Sequence, residues 1–101
     1  MTYFPLVTVG IPFYNASSTL FLAIQSIFAQ TYENWELILA YDGTTDGSDE
    51  LARKIRDPRV RVIGDNRRRF LPYRLNQITV ESRGEYIMRM DADDLSSPDR
   101  I

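Results

Sequence analysis

Asp91, Asp93 and Asp94 crowd into four residues, directly after the apolar run Tyr86-Ile87-Met88-Arg89-Met90. The pattern reads as a buried strand that delivers two or three carboxylates to its own C-terminal end. Oxygen-only clusters of this kind suit a hard divalent cation such as Mg²⁺ or Mn²⁺. Such a cation in turn suits a ligand that carries phosphate. A bare Asp-x-Asp match arises about once by chance in a chain this rich in Asp, so the motif gains its weight from context. The context is three further strand ends that carry polar or turn-forming residues.

The rest of the composition narrows the chemistry. A chain of 101 residues makes one domain at most, and 44% hydrophobic residues suffice for a modest core. A formal charge of -2 gives no basic field for nucleic acid. Without Cys there are no disulfides or thiolate metal sites, and without His the usual general base and zinc ligand are missing. Any metal must be held by oxygens, and acid–base chemistry must come from carboxylates or Tyr. The N-terminus lacks a signal-peptide pattern, and no apolar run is long enough to span a membrane. A cytoplasmic location is the expectation.

The elements that must position the carboxylates follow from periodicity and turn residues. Leu6 to Ile11 reads as a strand ended by Pro12 and the Asn15-Ala16-Ser17 turn. Ser17 or Ser18 caps a helix with an apolar stripe at Leu20, Ile24, Ile27 and Phe28. Trp35 to Tyr41 is a second strand, broken by Asp42-Gly43. Asp46 or Ser48 caps a second helix through Leu51, Ala52 and Ile55, which stops at Asp57-Pro58. Arg59 to Ile63 alternates charged and apolar residues, as a half-exposed edge strand does. A basic loop, Gly64 to Arg69, leads to a third helix near Leu71 with Pro72 in its first turn and Leu71, Leu75 and Ile78 on one face. Ser82-Arg83-Gly84 turns into a last strand, Glu85 to Met90. The order βαβαβαβ predicts an α/β, Rossmann-like, mainly parallel sheet with helices on both faces. Ligands of such sheets bind beyond the C-terminal strand ends. Here those ends are Pro12–Asn15, Tyr41–Thr45, Gly64–Arg69 and Asp91–Asp94.

At these residues the chain resembles a known family. Val7-Thr8-Val9-Gly10-Ile11-Pro12-Phe13-Tyr14-Asn15 is similar to the opening strand of the inverting family 2 glycosyltransferases of the GT-A fold. Ser26 to Tyr32 followed by Trp35-Glu36-Leu37-Ile38, and the loop Asp42-Gly43-Thr44-Thr45-Asp46, resemble that family's next segments. So do Gly84-Glu85-Tyr86-Ile87, Asp91-Ala92-Asp93-Asp94 and Pro98-Asp99-Arg100. The resemblance covers essentially the whole chain, in order.

What the resemblance implies is binding of a nucleotide-activated sugar, most often a UDP-sugar, with Mn²⁺ or Mg²⁺ on the diphosphate. Pro12, Tyr14 and Asn15 would wall the nucleotide pocket. Asp42 would accept a hydrogen bond from the base, and Arg74 would face the base or phosphates. Asp91 would sit near the ribose and metal, and Asp93 would be the main metal ligand. The chain departs from the pattern at Tyr41, where the family loop has Asp, and at Arg67-Arg68-Arg69, which replaces a Gly-rich segment.

The family's acceptor-activating carboxylate lies beyond the metal motif, so no catalytic residue is assigned. Residues 1–101 read as the donor-nucleotide half of a glycosyltransferase domain, expected to bind the donor without transferring the sugar. The acceptor is a sugar, lipid or protein. A longer protein could associate peripherally with the inner face of the membrane, and an exposed sheet edge would favour homo-oligomers. Two other classes stand beside this one: a non-catalytic nucleotide-binding or interaction module, and a nucleotidyltransferase. The second normally has a Gly-rich basic loop after the first strand, where this chain has Pro12-Phe13-Tyr14-Asn15.

Each motif also has a plainer reading. The acidic cluster could be a solvated, helix-capping turn, and Asp42-Gly43 a simple turn. Arg67-Arg68-Arg69 reads first as a solvated loop and Asp46 as a helix cap. Trp35 reads as packing, Tyr14 as packing or base stacking, and Arg74 as a surface or a ligand-facing residue.

Overall fold

The computed structural model describes residues 3–101. Its elements are β1 (Val7–Phe13), α1 (Leu20–Phe28), β2 (Trp35–Asp42), α2 (Ser48–Arg53), β3 (Val60–Asp65), α3 (Leu71–Glu81) and β4 (Tyr86–Arg89). The expected βαβαβαβ order is present. The strands lie in the order β3-β2-β1-β4, and all three pairings are parallel. Parallel neighbours need a crossover, and each helix supplies one. The chain leaves β1 to build one side of the sheet and returns to place β4 on the other. Strand order therefore reverses beside β1, and the C-terminal ends of β1 and β4 flank that crevice.

The two-residue strand period sorts the side chains into two layers. Val9, Ile11 and Phe13 of β1 and Leu37, Leu39 and Tyr41 of β2 pack against Leu20, Ala23, Ile24 and Ile27 of α1 and Ala52 of α2. Across the sheet, Ile38 and Ala40 meet Ile78 of α3, with Ile63 beside them. Gly10 lies under α3: a Cβ there would come within 2.6 Å of Ile78 Cγ2, so the helix can approach only because the side chain is missing. β2 is buried along its whole length, and Trp35 is core as expected. β3 is half-buried throughout and lies at the sheet edge, as its alternating charges indicate.

Several boundaries differ from the expectation. β1 runs through Pro12 to Phe13. The Gly10 carbonyl faces β4, where it accepts from the Met90 amide. Pro12, two residues on, has the same orientation, and β4 has ended by then. The missing Pro12 N–H therefore breaks no ladder bond. Neither Ser17 nor Ser18 caps α1; its N-cap is Thr19, which makes no side-chain cap bond. The Ala16 carbonyl instead accepts from the Thr19 and Leu20 amides.

α3 starts at Leu71 with Pro72 in its first turn, as predicted, but its buried residues are Arg74 and Ile78. Leu71 is exposed and Leu75 only partly buried. The face is rotated because two acidic strand ends sit where Arg74 enters. β4 is not the buried strand that its apolar run suggested. Tyr86 and Ile87 are exposed, since β4 is a sheet edge among the described residues. Only Met90, just past its end, is fully buried. No helix among these residues is long and apolar enough to cross a membrane.

Candidate functional site

The C-terminal end of β2 is organised by one carboxylate. Asp42 points to the α3 side of the sheet and its side chain is 7% exposed. Its Oδ1 accepts from the Arg69 amide at 2.7 Å and Arg74 Nε at 2.8 Å. Its Oδ2 accepts from the Phe70 amide at 3.0 Å and Arg68 Nε at 3.1 Å. Burial pushes the Asp42 carboxyl up, but the Arg69 and Phe70 amides and the Arg74 guanidinium outweigh it and hold the group below its ordinary value. The basic loop can reach Asp42 because Gly43 adopts φ +63° and lies against its backbone. A Cβ on Gly43 would meet the Arg68 nitrogen at 2.8 Å.

Arg74 is the counter-charge, with its side chain 1% exposed. Besides Asp42 it donates to Asp65 Oδ1 at 2.8 Å, Gln77 Oε1 at 2.8 Å and the Arg67 carbonyl at 2.6 Å. Burial lowers the pKa of the guanidinium, but Asp65 and Asp42 raise it further and keep the group charged. Asp65 ends β3. The Arg74 hydrogen bond first, then the Arg67 amide, draws its carboxyl down to about 2. Two strand ends, the basic loop and the first turns of α3 are thus joined through one buried cation.

Beside this network lies a cleft of about 120 Å³ lined by Pro12, Phe13, Tyr14, Asp42, Arg68, Leu71 and Arg74. The Arg68 guanidinium carbon sits 3.6 Å from the centroid of the Tyr14 ring. Asn15, at φ +48°, is outside this lining. Its Oδ1 accepts from the Thr45 amide at 2.7 Å and ties the end of β1 to the β2–α2 loop. Asp46 reinforces the same junction. Its Oδ1 accepts from the Ser48 amide and hydroxyl at 3.0 and 2.7 Å, and its Oδ2 from the Ser17 amide at 3.0 Å. It holds the start of α2, which is the cap role read from the sequence, although Gly47 is the N-cap residue.

The end of β4 is different. Asp91, Asp93 and Asp94 each offer a carboxylate oxygen, all within 4.8 Å of one another, and all three residues are exposed. Arg89 donates to Asp91 Oδ1 at 3.2 Å from the edge of the group. The Asp91 amide donates to Asp94 Oδ2 at 3.2 Å, which folds the turn back on itself. The donor set fits a hard divalent cation: it is all oxygen, convergent, and open to water or phosphate for the remaining positions.

Pro12, Tyr14, Asp42 and Arg74 therefore share one cleft, while Asp91 and Asp93 share a second group with Asp94. Arg68 in the cleft lining and Asp65 behind it, bonded to Arg74, are not legible as such in the sequence. Both lie in the segment read as a basic loop, Gly64 to Arg69, whereas β3 runs on to Asp65. Their signal would have been a run of loop arginines, two of which pair with acidic ends on two neighbouring strands. Tyr41 lies on the opposite face of the sheet from the cleft, within the α1 and α2 core.

Residues 8–101 match the model of glycosyl transferase family 2. The chain is 39% identical over 100 residues to the putative glycosyltransferase EpsE of Bacillus subtilis (strain 168), covering 96% of this chain and 36% of EpsE. It is 33% identical over 89 residues to UDP-Glc:alpha-D-GlcNAc-diphosphoundecaprenol beta-1,3-glucosyltransferase WfaP of Escherichia coli, covering 88% of this chain and 36% of WfaP. Among solved structures it superposes on the mannosyltransferase PcManGT of Pyrobaculum calidifontis, in complex with GDP-Man and Mn2+, with a TM-score of 0.87 and 27% identity. That match covers 96% of this chain and 30% of PcManGT. The chain spans about a third of the length of these relatives. With the parallel sheet and flanking helices of the GT-A fold in place, the chain belongs to glycosyl transferase family 2.

Proposed function

We propose that residues 1–101 form the donor-binding part of an inverting glycosyltransferase that takes a nucleoside-diphosphate sugar, a UDP-sugar first, with Mn²⁺ or Mg²⁺. The observation that carries this reading is the convergent carboxylate trio at the end of β4, on the strand next to the one that leads into the cleft. Asp93 and Asp91 hold the cation, with Asp91 also beside the ribose. Pro12 and Tyr14 wall the base pocket, and Asn15 holds the loop that shapes it. Asp42 accepts an N–H from the base edge, and Arg74 sets the position of Asp42. A bound cation offsets the charge that develops on a diphosphate leaving group. The relatives named for a UDP-Glc transferase and for a GDP-Man and Mn2+ complex support this ligand class.

Transfer to a sugar, lipid or protein hydroxyl also needs a general base, which usually contributes about 10²–10⁴ in rate. No described carboxylate is assigned to it. Asp42 and Asp65 are held by arginines, Asp46 by the start of α2, and the β4 trio by the cation in this reading. The chain is therefore expected to bind donor without transferring sugar by itself. The site is placed at the inner, cytoplasmic side of any membrane that supplies a lipid acceptor.

Calorimetry with Mn²⁺, UDP and GDP tests the reading. Mn²⁺ should bind weakly alone and more tightly with UDP, because phosphate oxygens complete its shell. Asp93→Ala should weaken the combined binding on the order of tenfold or more, since it removes a charged ligand. Equal heats for the two proteins would overturn the assignment. The UDP-to-GDP ratio reports which base the cleft prefers.

A further inference from the structure

In the cleft of the proposed donor site, one lining side chain, Arg68, already contacts the two residues assigned to the base. The two oxygens of Asp42 meet four donors, which matches the roughly four acceptor positions of a carboxylate. Three of these donors are fixed. The Arg69 and Phe70 amides belong to the loop backbone, and the buried Arg74 is tied to three other groups. The fourth, Arg68 Nε, makes the longest of the four bonds at 3.1 Å, from a side chain that is 44% exposed.

The same guanidinium covers the Tyr14 ring, 3.6 Å from its centroid, and lies 4.8 Å from the Phe70 ring. It is planar, directs an N–H to Asp42 and rests against an aromatic ring. Those are the features that a nucleobase with a ring N–H would bring to the same two residues. A base cannot make both contacts while Arg68 makes them.

We infer that Arg68 is an internal stand-in for the nucleobase. It satisfies Asp42 and covers Tyr14 while the cleft is free of nucleotide, and it must swing toward solvent for a base to bind. This rests on the reading of Tyr14 and Asp42 as the base pocket, and it adds a residue that sets donor affinity by competition. The competing contacts are a partly exposed ion pair and a cation–π contact, both of modest strength. Releasing them in advance should tighten base binding by about five- to tenfold.

The test compares wild type, Arg68→Ala and Arg68→Lys by calorimetry with UDP and with pyrophosphate, both in the presence of Mn²⁺. Arg68→Ala should bind UDP about five- to tenfold more tightly, with no gain for pyrophosphate. Arg68→Lys keeps the charge without the planar group and should show a smaller gain for UDP. A residue that serves the phosphates would instead lose affinity for both ligands on truncation. UDP affinity that is equal or weaker in both variants overturns the inference, while UDP binding by wild type leaves the donor-site reading standing. Absence of UDP binding in all three proteins overturns both. Should Arg68→Ala fail to fold by circular dichroism, Arg68→Lys carries the same comparison.

Discussion

The ends of β2 and β4 both present Asp, in opposite physical states. Asp42 is buried and surrounded by donors from the protein itself. Asp91, Asp93 and Asp94 are exposed and close together, with one Arg at the margin. At 4.8 Å two unit charges in water repel by about 1 kcal/mol, so three such groups tolerate one another while they stay solvated. The contrast separates two uses of a carboxylate. Asp42 organises a loop, and its negative charge is already answered by Arg74. The β4 trio organises little beyond its own turn, and its charge is left for something from outside.

The first way to break this comparison has the largest expected effect. Asp42→Ala strands the buried Arg74 with one acidic partner and leaves the Arg69 and Phe70 amides without their acceptor. Removing one partner of a buried ion pair costs about 3–5 kcal/mol, a large share of the stability of a domain this size. Asp93→Ala should change stability by less than about 0.5 kcal/mol, as exposed substitutions do. Urea unfolding of the two variants reads both numbers. Similar losses would mean that the two sites are not different in kind.

Acid sharpens the comparison from another side. Asp65 is held at about 2 and Asp42 below its ordinary value, both by groups they meet only in the fold. Between the unfolded value of about 4 and these folded values, the unfolded chain binds more protons. The stability that Asp65 contributes is therefore complete above about pH 4 and is lost as pH falls toward about 2, and the contribution of Asp42 is lost in the same direction. Urea midpoints should drop across that window. Asp65→Asn should flatten part of the drop, because one of the carboxyls that the fold holds low, beside Glu36, Asp42, Asp46 and Asp57, is gone. An unchanged slope in Asp65→Asn would show that Asp65 does not carry its share.

The sheet was legible because its signals are local. Apolar runs, turn residues and helix stripes give βαβαβαβ without any long-range information, and strand-end chemistry then follows from topology. Asp46 was legible as a cap for the same reason: the Ser48 amide and hydroxyl that make it one are two residues away in the chain, while its bond to the Ser17 amide was not visible. Arg74 was not. An Arg in a helix usually faces water, and the two carboxylates that bury this one come from strands 32 and 9 residues earlier. The exposure of β4 was hidden too, because an apolar run does not reveal what covers its faces. Arg68 fell between these cases. It was visible as a basic loop residue, while its partners Asp42 and Tyr14 depend on how the loop folds over Gly43.

The smallest expected effect concerns the residue just before Asp42. Tyr41 stands where the resembled loop has Asp. Strand alternation separates the two neighbours: Asp42 faces α3 and the cleft, and Tyr41 faces α1 and α2. The Tyr41 ring lies 6.5 Å from that of Phe13, and its hydroxyl accepts from Arg53, whose guanidinium is 4.8 Å from the ring. Arg53 is half exposed, so water can replace the hydroxyl as its partner. Tyr41→Phe should therefore cost only about 0.5–1 kcal/mol, the lower part of the range for a hydrogen bond. It should leave UDP binding within about twofold, since no atom that lines the cleft is touched and a factor of two is under 0.5 kcal/mol. Paired measurements of unfolding and UDP affinity would check this. A tenfold loss of UDP affinity at unchanged stability would place the Tyr41 hydroxyl on the ligand. The two faces of β2 would then not be separated as the alternation requires.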